Sequence, residues 1–205
     1  MRLHWQELLK DLDYQEGETI LDVGGGMDPV PIADMVVDIK NFGLGGKAYT
    51  LLDLCSDTFP FEDNSFDICI CSQTLEDLPS PKLAIQEISR VAKRGIIEVP
   101  HRGPESVKTM HYDGYAKPAW AEPEVWCYGT EHHKWLAEEK AGVLHFTFKN
   151  QMQLMRNPIP NWSGPTNIRF LWKESIPYEI HYDMDQSATE TNYRNFRLES
   201  DEFWS

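Results

Sequence analysis

The chain is short of positive charge, of long apolar runs and of paired cysteines, and each shortage narrows what it can do. Lys and Arg number 19 against 33 Asp and Glu, a formal net charge of −14, which repels phosphate polyanions and weighs against a nucleic-acid partner. No stretch approaches the roughly 18 apolar residues of a membrane span, and residues 1–14 lack the apolar block of a secretory signal. A cytoplasmic protein with no membrane partner is expected. Cys55, Cys69, Cys71 and Cys127 form no CxxC pair, which points away from a disulfide framework or a thiolate zinc site and towards reduced, buried thiols. No internal repeat is present. What remains is a globular composition, 205 residues with 41% hydrophobic and 12% aromatic, enough for one domain with peripheral additions.

The first hundred residues alternate apolar runs with connections. Trp5, Leu8, Leu9 and Leu12 recur at helical spacing, so residues 2–13 are expected to form an amphipathic helix closed by Gly17. Residues 20–23, 35–39, 49–52, 66–71 and 96–99 read as strands. Between the last two, Ser80-Pro81 suggests an N-cap followed by proline at the first helical position. Ala84, Ile85, Ile88 and Val91 keep the helical period, and Lys93-Arg94-Gly95 supplies a basic last turn and a glycine stop. This is the pattern of an open, mostly parallel α/β sheet with helices on both faces. Beyond residue 100 the composition shifts: six of the seven Trp and six of the seven His lie there. Residues 135–138 and 143–148 read as a hairpin turning at 139–142, residues 168–182 hold room for another strand or two, and 183–205 are polar with few aliphatics. The expected organisation is a ligand-binding domain over 1–150 and a C-terminal extension over 151–205 packed on it.

In such sheets ligands bind beyond the carboxyl ends of the strands, where strand order reverses. Strand 1 ends Asp22-Val23-Gly24-Gly25-Gly26, where glycines let backbone N–H groups come close to a ligand. Strand 2 ends at Asp38, a carboxylate suited to the two hydroxyls of a ribose. Asp53-Leu54 follows strand 3, and Ser72-Gln73-Thr74 follows strand 4. A dinucleotide-dependent oxidoreductase fits less well, because Pro29 occupies the third glycine position and Asp38 comes too early for an acid about 20 residues on.

The joint pattern is more specific than any one part. The string ILDVGGG, then Asp38, then DLCSDTFPFEDNSFDICICSQTLEDLPSP, then ISRVAKRG and IIEVP resembles the class I S-adenosylmethionine-dependent methyltransferases over roughly residues 19–101, most of all their small-molecule, type 11 group. The resemblance implies a Rossmann-like sheet of the seven-stranded type and S-adenosyl-L-methionine as cofactor. It implies that Asp22 and Gly24, Gly25 and Gly26 lie against the methionine end of the donor and that Asp38 binds the ribose. Asp53 and Leu54 would address the adenine, and Ser72 and Gln73 would line the floor beneath the sulfonium. Thr74 and Leu75 would border the methyl group. The transfer implied is to an oxygen or nitrogen of a small molecule or glycan unit; a donor-binding scaffold without catalysis is the alternative.

Three departures from that pattern stand out. GGGMDP replaces GxGxG, with Pro29 and Pro31 leaving little room for a helix between strands 1 and 2. Leu75-Glu76-Asp77-Leu78 replaces the usual LEHL, putting a carboxylate where an imidazole would orient or deprotonate. No NPPY-type motif follows strand 4.

On the acceptor side His101, just past strand 5, is the first nomination for a base, with Asp77 and Glu76 as alternatives and a solvated loop as the plainer reading of both acids. Glu98 inside an apolar strand needs a partner or access to water. His132, His133 and Trp126 are candidate acceptor contacts. Tyr112, Tyr115, Trp120, Trp126 and Tyr128 read either as a stacking lid or as packing. No metal site is expected, since adjacent histidines on an extended segment point to opposite faces and no HxxxH spacing joins them to His101 or His111.

Overall fold

The computed structural model describes residues 5–43, 46–110, 126–130, 132–151, 154 and 161–182, and for 108–110 and 126–128 it describes the backbone. Hydrophobic alternation builds two faces on one sheet. In β1 (Ile20–Val23) every residue is buried, with Ile20 and Asp22 on one side and Leu21 and Val23 on the other. Strands β2 (Met35–Asp38), β3 (Ala48–Leu51), β4 (Phe66–Ser72) and β5 (Ala92–Pro100) run parallel to it, and β10 (Asn167–Lys173) closes the far edge antiparallel to β5. The order is β10-β5-β4-β1-β2-β3. Among the described residues the sheet thus has six strands where the seven-stranded type was expected, and the order of connection reverses between β1 and β4, which makes a switch point there.

Helix α1 (Trp5–Asp11) covers one face through Leu8 and Leu9, with Leu12 just past its end, on Ile20, Ile68, Ile70 and Ile96. Helix α2 (Lys82–Val91) covers the other with Ala84, Ile85, Ile88 and Val91. As Pro29 and Pro31 suggest, no helix joins β1 to β2. The same holds from β2 to β3 among the described residues and from β3 to β4. Among the described residues, no helix is long and apolar enough to cross a membrane.

Two details of α2 differ from expectation. Ser80 does not cap it: Pro81 occupies the N-cap position without a side-chain bond, and the helix starts at Lys82. At the other end Ala92 is already extended, so Lys93, Arg94 and Gly95 are strand residues, with Lys93 on Asp67 at 2.7 Å and Arg94 on Glu18 at 2.9 Å. Those acids draw the two cations into β5. Gly95 is a packing glycine, because a Cβ there would overlap the Cys69 carbonyl and stand 2.8 Å from the Trp172 ring.

After β5 a short helix, α3 (Arg102–Glu105), leads to β6 (Lys108–Met110), which pairs with β7 (Trp126–Tyr128). The expected hairpin is present as β8 (Trp135–Lys140) and β9 (Val143–Phe148), turning through Ala141 and Gly142 at φ 51° and 76°. Leu144 and Phe146 face inward, and β11 (Tyr178–His181) adds to β9 in parallel. Residues 167–173, read from sequence as part of the extension, belong to the main sheet. The expected aromatic stretch over 112–123 and the tail over 183–205 lie outside the described residues.

Candidate functional site

The β1–β2 connection carries the first half of the site. Gly24 takes φ +70° and its N–H donates to the Val37 carbonyl at 2.7 Å; a Cβ there would overlap the Thr74 side chain. Gly26, at φ +57°, donates to Asp38 Oδ2 at 2.8 Å, and Lys40 N donates to Asp38 Oδ1 at 3.3 Å. Asp38 is 8% exposed, and each oxygen has a second lone pair beyond the bond described. Asp22 is fully buried and accepts from Val30 N at 2.8 Å, so its carboxylate braces the loop from beneath. Gly25 fits tightly over it, a Cβ there standing 2.6 Å from Val36 and 3.1 Å from Asp22 Oδ2. The Tyr49 hydroxyl is buried nearby without a hydrogen-bond partner; burial, with the charges of Asp38 and Asp22, pushes its pKa up.

The neighbouring strand ends complete this edge. Asp53 opens a tight turn, Oδ1 accepting from Cys55 N at 2.8 Å, and Leu54 is a core residue, so only its backbone remains for a ligand. Ser72 is buried and donates to Glu98 Oε2 at 2.7 Å; Gln73 is exposed at φ +53°. Thr74 donates to the Ser72 carbonyl at 3.1 Å. Glu98 has its partner: Arg169 reaches it at 3.0 Å while also holding Glu7 and Asp11 of α1. Two residues absent from the sequence reading stand out here, Ile39 and Met27, 72% and 73% exposed beside the loop and Asp38. A bulky aliphatic directly after a strand-terminal acid is the signal that could have found Ile39.

The acceptor side differs most from expectation. Glu76 is not in a solvated loop: it is 1% exposed and neither oxygen has a hydrogen-bond partner of good geometry. Burial, then the charges of Asp77 and Glu105, push its carboxyl up to about 8, so it is largely protonated at neutral pH. His132 and His133 do not diverge. The chain turns at His132 before β8 begins, and both imidazoles come to Asp77, His132 Nε2 at 3.8 Å and His133 Nε2 at 3.9 Å from Oδ1. Behind them His133 Nδ1 lies 3.1 Å from Glu105 Oε1, a close but bent contact. Glu105 in turn accepts from Lys149 Nζ at 2.6 Å and from Thr130 N at 3.0 Å. Burial alone would raise the Glu105 carboxyl; His133 and Lys149 outweigh it and hold it at about 2. Glu105, Thr130 and Lys149 went unseen because they lie 25 and 44 residues apart and form no local pattern.

His101 makes its described contacts with other residues. Its Nδ1 accepts from Gly103 N at 2.9 Å and caps α3, its ring stacks on Trp162 at 4.8 Å, and burial lowers its pKa. Any proton it took would go to Nε2. Trp126 belongs to β7, but its side chain lies outside the described residues, as does His111.

Against known proteins, residues 30–97 match the family described as "Methyltransferase domain", a match that begins past the glycine loop. The demethylmenaquinone methyltransferase of Paenarthrobacter aurescens (strain TC1) is 33% identical over 104 residues, covering 44% of this chain and 41% of that protein. The chain therefore spans about two fifths of the length of the curated relative it matches. Among solved structures, an S-adenosylmethionine-dependent methyltransferase from Aquifex aeolicus aligns with TM-score 0.39 and 22% identity over 55% of this chain and 68% of that one. Another, from Mesorhizobium loti, aligns with TM-score 0.40 and 15% identity over 60% and 62%.

Proposed function

We propose, from the match of residues 30–97 to a methyltransferase domain and from the sheet edge described above, that this chain is of the class I type and moves a methyl group from S-adenosylmethionine to an oxygen or nitrogen of a small molecule or glycan unit. The observation that carries this reading is the meeting of Gly24, Gly26, Asp38 and Thr74 at the switch point between β1 and β4.

The residues present fit the donor. The cramped, left-handed Gly24 brings backbone where a side chain would block a ligand. Asp38 keeps lone pairs for two ribose hydroxyls, and the exposed Ile39 and Met27 offer apolar cover to an adenine. Asp53 and the Leu54 backbone border the same rim, one hydrogen bond along from Asp38, whose carbonyl accepts from Leu52 N at 3.0 Å. Ser72 and Gln73 follow at the end of β4, and the carboxylates of Asp22 and Asp38 make the edge electronegative, which favours a sulfonium. When bound, S-adenosylmethionine supplies an electrophilic methyl carbon on a positively charged sulfur that leaves as a thioether. What the chain adds is position: Thr74 stands between loop and acceptor side, and Asp77, His132 and His133 face the acceptor, so that nucleophile and methyl meet at about 3 to 3.5 Å. Of the three nominated bases, Asp77 faces that side directly, while His101 has spent Nδ1 on α3 and Glu76 is buried and largely protonated.

Calorimetric titration with S-adenosylmethionine and S-adenosylhomocysteine tests the reading. Saturable binding of both is expected, weakened about 10- to 100-fold by Asp38→Asn, the loss of a charge-assisted pair of hydrogen bonds. A folded protein that binds neither overturns it. One feature favours the non-catalytic alternative: no helix follows the glycine loop, so no helix terminus aids the donor carboxylate. Donor binding without acceptor-dependent release of S-adenosylhomocysteine, over alcohols, amines and sugars, would select that alternative.

A further inference from the structure

We infer that Asp77, His132 and His133 form a binding site for one divalent transition-metal cation at the acceptor end of the sheet. The three potential ligand atoms all lie within 4.8 Å of one another, with both imidazole Nε2 atoms 3.8 and 3.9 Å from Asp77 Oδ1. Ligands on an ion with bonds of about 2.1 Å stand roughly 3.0 to 3.4 Å apart. Each imidazole must come about half an ångström closer to Asp77, and the Asp77 and His132 side chains, 42% and 65% exposed, have room to turn inward onto His133.

Two further observations single this cluster out. Asp77 Oδ1 is shielded from solvent and has no hydrogen-bond partner, the state of a ligand atom awaiting a cation rather than of a satisfied surface acid. Beside it Glu76 is buried with both oxygens equally unpartnered. Second, His133 is backed as metal-bound histidines are, by a carboxylate at its other ring nitrogen. Glu105 stands 3.1 Å from Nδ1, itself fixed by Lys149 and Thr130, which favours the proton on Nδ1 and leaves the Nε2 lone pair towards Asp77. Gly129, at φ +59°, packs so closely on Glu105 that a side chain there would collide with it. The support is built in.

The other histidine cluster lacks these features. His145 Nδ1 and His181 Nε2 bond each other at 3.0 Å, and Glu179 lies 3.5 and 3.3 Å from them, so the groups satisfy one another. Two imidazoles and one carboxylate suit zinc, cobalt, iron or manganese better than magnesium or calcium, and three protein ligands leave positions open. The use of those positions rests on the methyl-transfer reading. An acceptor hydroxyl bound there would lose its proton to bulk water at lower pH, and its oxygen would form the new O–C bond as the S–C bond breaks and leaves its electron pair on sulfur.

The test is direct metal binding by the full chain, free of donor and acceptor, with Co2+ followed by its visible spectrum and Zn2+ by competition and elemental analysis. One equivalent is expected. Asp77→Asn and His133→Gln should each weaken binding at least about tenfold and Glu105→Gln about 10- to 100-fold, with unfolding curves confirming folded variants, while His181→Gln leaves it unchanged. Absence of stoichiometric binding, or binding that survives Asp77→Asn and is lost in His181→Gln, overturns the inference. If metal binds and the donor does not, the site stands and the methyl-transfer reading fails; methyl transfer by a protein that takes up no metal is the opposite result.

Discussion

Gly24→Ala is the perturbation whose size follows most directly from the geometry. The residue holds φ +70° and its missing Cβ would overlap the Thr74 hydroxyl and methyl and lie 2.8 Å from Thr74 Cβ. Placing an L side chain in the left-handed region costs about 1–2 kcal/mol, and overpacking against Thr74 costs about 1–3 kcal/mol more. Against a total stability of about 5–15 kcal/mol, the cheaper response is for the loop to shift, so donor affinity should fall along with the urea midpoint. The two contributions separate in a double-mutant cycle with Thr74→Ala, which removes two of the three overlapping atoms. A favourable coupling of about 1–2 kcal/mol is expected, leaving the backbone cost behind. Urea unfolding and a titration with S-adenosylhomocysteine on all four proteins provide the data. Strict additivity would show that Thr74 does not abut Gly24. A Gly24→Ala cost under about 0.5 kcal/mol would refute the left-handed loop itself.

Gly95→Ala distinguishes the strand from the expected helix stop: as a packing glycine between Cys69 and Trp172 it should cost about 3 kcal/mol or more in chemical unfolding, whereas a surface residue ending a helix would cost about 1 kcal/mol. Asp67 is held down at about 2 by Lys93, then by the Thr19 N–H and hydroxyl. Its contribution should therefore be complete above the unfolded value near 3.8 and vanish as pH falls through about 2. Because the pair is partly exposed, Asp67→Asn should cost only about 1 kcal/mol at neutral pH, with the two stability curves converging towards pH 2; a constant offset across that window would contradict the assignment.

Strand ends were legible in the sequence because their signals are local. A short apolar run closing on glycines or an acid marks Gly24, Asp38 and Ser72 without knowledge of the fold, and Gly142 marks the β8–β9 turn in the same way. Lys93-Arg94-Gly95 misled because a basic turn followed by glycine is also a local signal, of a helix end. What decides it is remote: Asp67 and Glu18 claim the two cations, and Cys69 and Trp172 leave room only for glycine. The histidine pair misled for a related reason. Opposite-facing neighbours are a property of extended chain, and the chain turns at His132. Glu76 reads as solvated beside Asp77, yet β8 arrives to bury it, its carbonyl accepting from Lys134 N at 2.7 Å.

The missing helix after β1 explains why so many acids gather at the donor edge. In a helix most backbone N–H groups of this connection would find partners within it. Here side chains supply two of them: Asp22 takes Val30 N and Asp38 takes Gly26 N. Lys47 reaches in to the Pro31 and Ala33 carbonyls. Asp22 and Asp38 therefore hold the loop's shape before any ligand arrives, and only Asp38, through its remaining lone pairs and its place at the strand tip, is also positioned to face one. It follows that Asp22→Asn should act on stability and donor affinity together, through the loop. The part of the Asp38→Asn effect that exceeds its stability cost is the part that measures contact with the donor.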